Sequence, residues 1–253
     1  SIGDDVKLIP PIQFIEDLTE NTKMYGNLKD TLAKNFHKLT WEDKFPWIFD
    51  VLLHIYKLHG LGHCHKNFHS GNILQNKYYK SSSLRLTHVT DIGLLGPADQ
   101  QESDDKIYGV LPYIAPEVLH GEPYTLASDI YSFGVIMTEI SSGKPPFYNR
   151  KHDSTLASDI CNGLRPEFGN GTPEFYKNLA HRCMNANPDQ RPTSNELYDI
   201  FEFWDGTNYE NYTRSGSVQT WLYPAVGDLR ENLVKLKRKN TFMKQHKDLP
   251  IFR

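Results

Sequence analysis

The stretch His65-Lys66-Asn67-Phe68-His69-Ser70-Gly71-Asn72 constrains this chain more than any other. It reads as a polar loop between a long apolar-periodic segment and a pair of short apolar runs. Nineteen residues after Asn72 comes Asp91-Ile92-Gly93. Beyond it, in order, lie Ala115-Pro116-Glu117, Ser128-Asp129-Ile130-Tyr131-Ser132-Phe133-Gly134 and Asn187-Pro188-Asp189-Gln190-Arg191-Pro192. Any fold for this chain must explain that order.

The flanking segments point to a mostly helical chain. Thr40-Trp41-Glu42-Asp43 has the form of a capping box, with Asp43 a weaker partner than glutamate. The helix it opens is expected to run to about His59, with Ile48, Leu52, Ile55 and Tyr56 on one face and Gly60 at its end. Pro46 is expected to kink its first turns. Gly26–Leu32 reads as a turn into an earlier helix. Asn72–Asn76 and Leu84–Thr90 form a hairpin-like pair joined by Lys77–Ser83. From Gly93 to Pro112 the chain is turn-rich and acidic, with Asp99, Glu102, Asp104 and Asp105. Thr125 caps an apolar helix through Ile130, Phe133, Val135, Ile136 and Ile140 that is buried nearly all round. Further helices are expected at about 152–163, 174–186 and 193–204, with Asp205-Gly206-Thr207-Asn208 as a linker into a polar extension.

The bulk properties describe an ordinary globular protein: 253 residues, 38% hydrophobic and 23% charged. Membrane-spanning proteins are excluded from the reading, because no apolar run approaches the ~18 residues a bilayer requires. Cys64, Cys161 and Cys183 are scattered and odd in number, which fits reduced thiols in a cytoplasmic protein. The net charge of -3 conceals a basic end: Arg230–Arg253 carries eight Lys or Arg against two acids. Leu229, Leu233 and Leu236 make that end read as a solvated amphipathic helix rather than a nucleic-acid contact. Asn170-Gly171-Thr172 and Asn211-Tyr212-Thr213 match the glycosylation sequon, and with no signal segment they read as chance.

The five motifs, in this order and spacing, resemble the protein kinase family: catalytic loop, metal-binding aspartate, activation-segment end, large-lobe helix and the late Asn187–Pro192 segment. The resemblance covers about Gly26 to Trp204, with the flavour of the tyrosine-kinase-like group. It implies an α+β protein-kinase-like fold: a mostly α-helical large lobe with short β-hairpins, and a small lobe truncated or missing. Residues 1–25 would be an unplaced segment or small-lobe remnant, 26–204 the large lobe, and 205–253 a polar, basic extension. No glycine-rich phosphate loop and no strand lysine of the V-A-I-K type stand in the first residues, Val6-Lys7 being the nearest approach. By the same resemblance, Asn72 and Asp91 would bind Mg²⁺ and ATP, and His65 would be a structural histidine. Glu117 would pair with Arg191, and Asp129 would cap the catalytic-loop backbone.

The resemblance fails at its chemical centre. Asn67 stands where the family places its catalytic aspartate, and an amide is not a useful proton acceptor. Lys66 replaces an arginine fork by a point charge. His69 takes the place of the lysine that marks serine/threonine kinases, and Gly109-Val110 replaces the Gly-Thr pair. Ser103 and Tyr108 are the candidate phosphosites between Gly93 and Pro112. These departures imply a catalytically impaired, pseudokinase-like module that binds protein partners and binds ATP and Mg²⁺ weakly or not at all. The alternatives are an authentic ATP-dependent kinase represented by a truncated chain, and a decayed fragment that does not fold. A further alternative is local: His59, His63, Cys64, His65 and His69 have the look of a zinc-ligand cluster.

Overall fold

The structure, a computed structural model, describes residues 24–76, 87–90, 96, 97 and 109–213. The expectations for residues 1–23, Lys77–Ser83, Asp91, Ser103, Tyr108, the acidic residues between Asp99 and Asp105 and the basic end lie outside the described residues. The chain divides after Phe201 into two units, and the described residues fall in the first apart from the end of the last helix.

The order is β1 (Met24–Asn27), α1 (Leu28–Asn35), α2 (Trp41–Gly60), β2 (His63–Cys64), β3 (Ile73–Asn76), β4 (Thr87–Val89), β5 (Gly96–Pro97), α3 (Pro116–Leu119), α4 (Leu126–Ser142), α5 (Ser154–Cys161), α6 (Glu174–Cys183) and α7 (Ser194–Thr213). The proportions are those of a mostly helical α+β fold. The expected strand pair forms with Ile73 opposite Val89, but β1 adds to its other edge, giving the order β1-β3-β4. Gly26–Asn27 therefore ends a strand where a turn was expected, and the φ of 130° at Gly26 lies where only glycine sits without strain. The Asn27 side chain then accepts from the Asp30 N–H and caps α1.

Helix α2 passes through Pro46 without ending. At its start the Asp43 carboxylate accepts from both the backbone N–H and the hydroxyl of Thr40, each at 3.0 Å. Trp47, Ile48, Val51, Leu52 and Ile55 are buried, while Tyr56 lies half-buried and stacks on Tyr198. Two polar residues of α2 anchor β4: Asp50 accepts from the Thr87 N–H and hydroxyl, and His54 Nε2 donates to the Thr87 carbonyl at 2.7 Å.

Helix α4 is the centre of the core. Thr125 and Ser128 cap its start reciprocally, and every residue from Ser128 to Ser141 is buried. Gly143 closes it in the left-handed region, at φ 71°, with a Phe36 ring where a side chain would be. Gly134 lets α6 approach, since a Cβ there would lie 2.7 Å from Met184. The last helix continues through Asp205–Asn208 to Thr213, so those residues are not a linker. Their polar composition hid the continuation, because no apolar periodicity marks it.

Candidate active site

The loop from His65 to Asn72 is held from below by one buried carboxylate. Asp129, in the first turn of α4, accepts from the His65 N–H at 2.6 Å and the Lys66 N–H at 3.1 Å. His59, at the end of α2, donates its Nε2–H to the same carboxylate at 3.1 Å. Lys66 sits in the left-handed region at φ 66°, a conformation that costs a non-glycine residue on the order of 1–2 kcal/mol. The two amides bound by Asp129 flank that turn and hold it.

His65 has both ring nitrogens on backbone. Its Nε2–H donates to the Thr90 carbonyl at 3.2 Å, and Nδ1 accepts from the Asn67 N–H at 3.4 Å. The Asn72 side-chain nitrogen donates to the Asn67 carbonyl at 3.0 Å, tying the end of the loop to its middle. That bond sets the Asn72 amide with its oxygen on the opposite side, and an amide oxygen is a ligand Mg²⁺ accepts. Asp91 lies outside the described residues, so of the two expected metal ligands only Asn72 is described.

The five residues with zinc-like spacing do not converge. His59 faces Asp129, His63 Nδ1 lies 2.8 Å from the Leu61 carbonyl, and the Cys64 thiol points at the Tyr124 carbonyl. His65 faces Thr90, and His69 folds back on Gly71. Among the described residues no group of three such side chains could hold a metal ion. The zinc alternative fails because each of these side chains is turned to a different partner.

Arg191 and Glu117 meet as a bidentate pair, with both N–H···O distances 2.6 Å. The guanidinium also donates to the carbonyls of Asn185 and Ala127 and lies over the Tyr131 ring. Arg165 is the same 5.2 Å from that ring. Burial pushes the Tyr131 phenol up to about 12 although both cations pull it down.

One cluster escaped the reading of the motifs. The Glu139 carboxylate, 2% exposed, accepts from the Ser70 hydroxyl at 3.0 Å and the Tyr113 hydroxyl at 2.6 Å. It joins α4 to the polar loop and to the segment before Ala115. A lone acid between Met137 and Ile140 on an all-buried helix was the available signal. Burial holds the Glu139 carboxyl above its usual range of 4.5, although the Tyr113 and Ser70 donors pull it down. Burial, then the charge on Glu139, raises Tyr113 in turn.

The folded protein therefore holds the Glu139 proton more tightly than the unfolded chain does. The stability this contributes is complete below about 4.5 and is lost as pH rises through the raised value. Glu139→Gln, which cannot ionise, is expected to gain stability relative to the parent as pH rises from acid to neutral. Denaturant midpoints of the two proteins across that range check this, and parallel curves would show that Glu139 does not titrate there.

A sequence profile described as protein tyrosine and serine/threonine kinase matches residues 12–201. The chain therefore belongs to the protein kinase family. It is 30% identical over 173 residues to a probable serine/threonine-protein kinase of Dictyostelium discoideum, covering 68% of this chain and 10% of that protein. It is 29% identical over 209 residues to the probable serine/threonine-protein kinase roco5 of the same organism, covering 78% of this chain and 7% of roco5. The dual specificity protein kinase zakA, also of Dictyostelium discoideum, is 32% identical over 180 residues, covering 66% of this chain and 22% of zakA. The chain thus spans a tenth or less of the first two relatives. The profile begins at residue 12, inside the segment for which no element was assigned from sequence. Among the described residues no helix is long and apolar enough to cross a membrane.

Proposed function

We propose that this chain is a kinase-fold binding module, cytoplasmic and directed at protein partners, in which phosphoryl transfer is impaired. On this reading the large lobe spans residues 26–204 and a polar, basic extension follows it. The observation that carries the reading is Asn67 in the middle of a loop whose supports are in place. Asp129, Asn72 and His65 all hold the backbone around it. Phosphoryl transfer is mostly positioning and charge neutralisation, with an aspartate accepting the hydroxyl proton. Asn67 can position a hydroxyl but cannot take that proton, a loss worth ~10²–10⁴ in rate. Family members use ATP with Mg²⁺; here Asn72 and Asp91 would hold the metal, and binding is expected to be weak.

A phosphotransfer assay of the parent and of Asn67→Asp tests this. The variant is expected to exceed the parent by about tenfold or more, the low end of what a positioned base contributes. Equal turnover would remove Asn67 from the account. A second reading, an authentic kinase represented by part of its length, is favoured by the relatives, which are named as serine/threonine or dual-specificity kinases and of which this chain covers a small share. Substantial turnover by the parent supports that reading and overturns the first.

A further inference from the structure

The turn between α4 and α5 sets one aromatic side chain out in solvent. Gly143 closes α4, Pro145 and Pro146 follow, and Phe147 is again in the left-handed region, at φ 54°. That backbone is uncommon for any residue with a Cβ and strained for a bulky one, and such outliers gather where a segment has a task. Across it two neighbouring rings part: Phe147 is buried, 8% exposed, while Tyr148 is 55% exposed. Every residue from Tyr148 to Thr155 is exposed as well. Tyr113, Tyr131 and Tyr176 are buried, and Tyr56, Tyr124 and Tyr198 are half-buried. Tyr148 is thus the one exposed tyrosine among those whose burial is described.

Cations surround its hydroxyl along the chain. Lys144, four residues back, donates from Nζ to the Tyr148 hydroxyl at 3.1 Å, and the same ammonium lies 4.5 Å from the ring centroid. Arg150, two residues on, pairs with Asp159 of α5, with side chains 35% and 39% exposed. Lys151 and His152 follow in the exposed run. The acids of the turn and of α5 have partners already: Asp159 takes Arg150, and Asp153 takes the Thr155 and Leu156 amides at the helix start. A neutral phenol gives the Lys144 ammonium a dipole to meet but no charge.

We propose that Tyr148 is a phosphorylation site, and that Lys144 and Arg150 hold the phosphate it receives. The donor is ATP on a separate tyrosine-directed kinase, so the proposal goes beyond the reading of the Asn67 loop and stands whether or not this chain transfers phosphate itself. In the step, the Tyr148 oxygen forms a bond to the γ-phosphorus and the bond from that phosphorus to the β–γ bridging oxygen breaks. ADP leaves, and the phenol proton passes to the base of the modifying enzyme. The product carries a charge of about −1.5 to −2 and three strong acceptor oxygens. Lys144 then meets a charge in place of a dipole. A guanidinium fork matches phosphate oxygens in pairs, and an exposed ion pair such as Arg150–Asp159 is weak. The phosphate therefore draws Arg150 from Asp159, and the modification frees the turn from α5.

The test uses the full chain in two preparations. In the first, the catalytic domain of a broad-specificity tyrosine kinase is added with Mg-ATP, and peptide mass spectrometry follows each tyrosine. Tyr148 is expected to be labelled ahead of Tyr56, Tyr124 and Tyr198, and Tyr148→Phe loses that label. In the second, phosphotyrosine is installed at position 148 during synthesis, so that the result does not depend on the added kinase. Phosphorus NMR should then place the midpoint of the phosphate's second ionisation about half a pH unit below that of the same chain in denaturing urea, because nearby cations favour the dianion. Lys144→Ala and Arg150→Ala should each return the midpoint toward the denatured value, and both are exposed positions whose loss leaves the fold intact. The Arg150 guanidinium signal should move between the unmodified and phosphorylated chains as it changes partner. Labelling of a half-buried tyrosine ahead of Tyr148 overturns the proposal. A midpoint equal to that of the denatured chain, or one that either alanine leaves in place, does the same. The phosphotransfer assay without added kinase reads the Asn67 proposal separately, so either can fail without the other.

Discussion

Arg191→Ala is expected to lower the melting temperature of this chain by roughly 10 °C. Removing one partner of a buried ion pair costs about 3–5 kcal/mol, because the other charge stays behind without compensation. Each kcal/mol shifts a domain of this size by about 2–4 °C. The Arg191 side chain is fully buried and that of Glu117 is 13% exposed, so solvent screens the pair little. The guanidinium also closes the Asn185 and Ala127 carbonyls, which the alanine would leave unmet. Arg191→Lys should recover only a minor part of the loss, since an ammonium cannot reproduce the planar fork. Glu117→Leu combined with Arg191→Met should recover more, because it removes both charges together. A cooperative melt of Arg191→Ala within about 1 kcal/mol of the parent, the range of a surface pair, would show that the pair carries little of the fold.

What was legible beforehand follows the physics of each element. Helix α4 could be read because its signals are local: a Thr125 cap and a continuous apolar run. The β3–β4 pairing was legible from two apolar runs separated by a polar tract. Strand β1 was not, because its partner Asn76 lies about fifty residues away and nothing in Met24–Asn27 announces the pairing. The continuation of α7 through Gly206 was hidden for the opposite reason: a polar helix past the core has no periodic apolar face to show itself. The resemblance to the kinase family implied Glu117 and Arg191 as partners, and the two side chains meet across 74 positions.

Spacing misled at the histidines. Five potential ligands lie between His59 and His69, but in the folded loop each side chain meets a different partner. The Ser70–Tyr113–Glu139 cluster was invisible because its members come from three segments whose meeting depends on the packing of α4. A buried acid on an apolar helix requires donors, but the sequence does not say from where. His69 was noticed as a departure from a pattern. Its turn back onto Gly71 is a property of the folded loop.

The largest effect on the loop itself should come from Asp129→Ala. The change leaves the His65 and Lys66 amides and the His59 imidazole without their acceptor. Each buried donor left unsatisfied costs about 1–3 kcal/mol, so a loss of roughly 3–5 kcal/mol is expected. Asp129→Asn should be little better. Its Oδ1 can still serve one amide, but an NH₂ group would face the other donors, two of which now share Oδ2. The loss should also be local in a way a core deletion is not. With Asp129 gone, nothing holds Lys66 at φ 66°, and the loop should relax toward an unstrained backbone. Hydrogen exchange reads this directly: the His65 and Lys66 amides should exchange much faster in Asp129→Ala at a pH where the interior of α4 remains protected. If their protection falls only in step with α4, the carboxylate supports the core in general. Selective loss at the two amides makes Asp129 the residue through which the helix core positions Asn67.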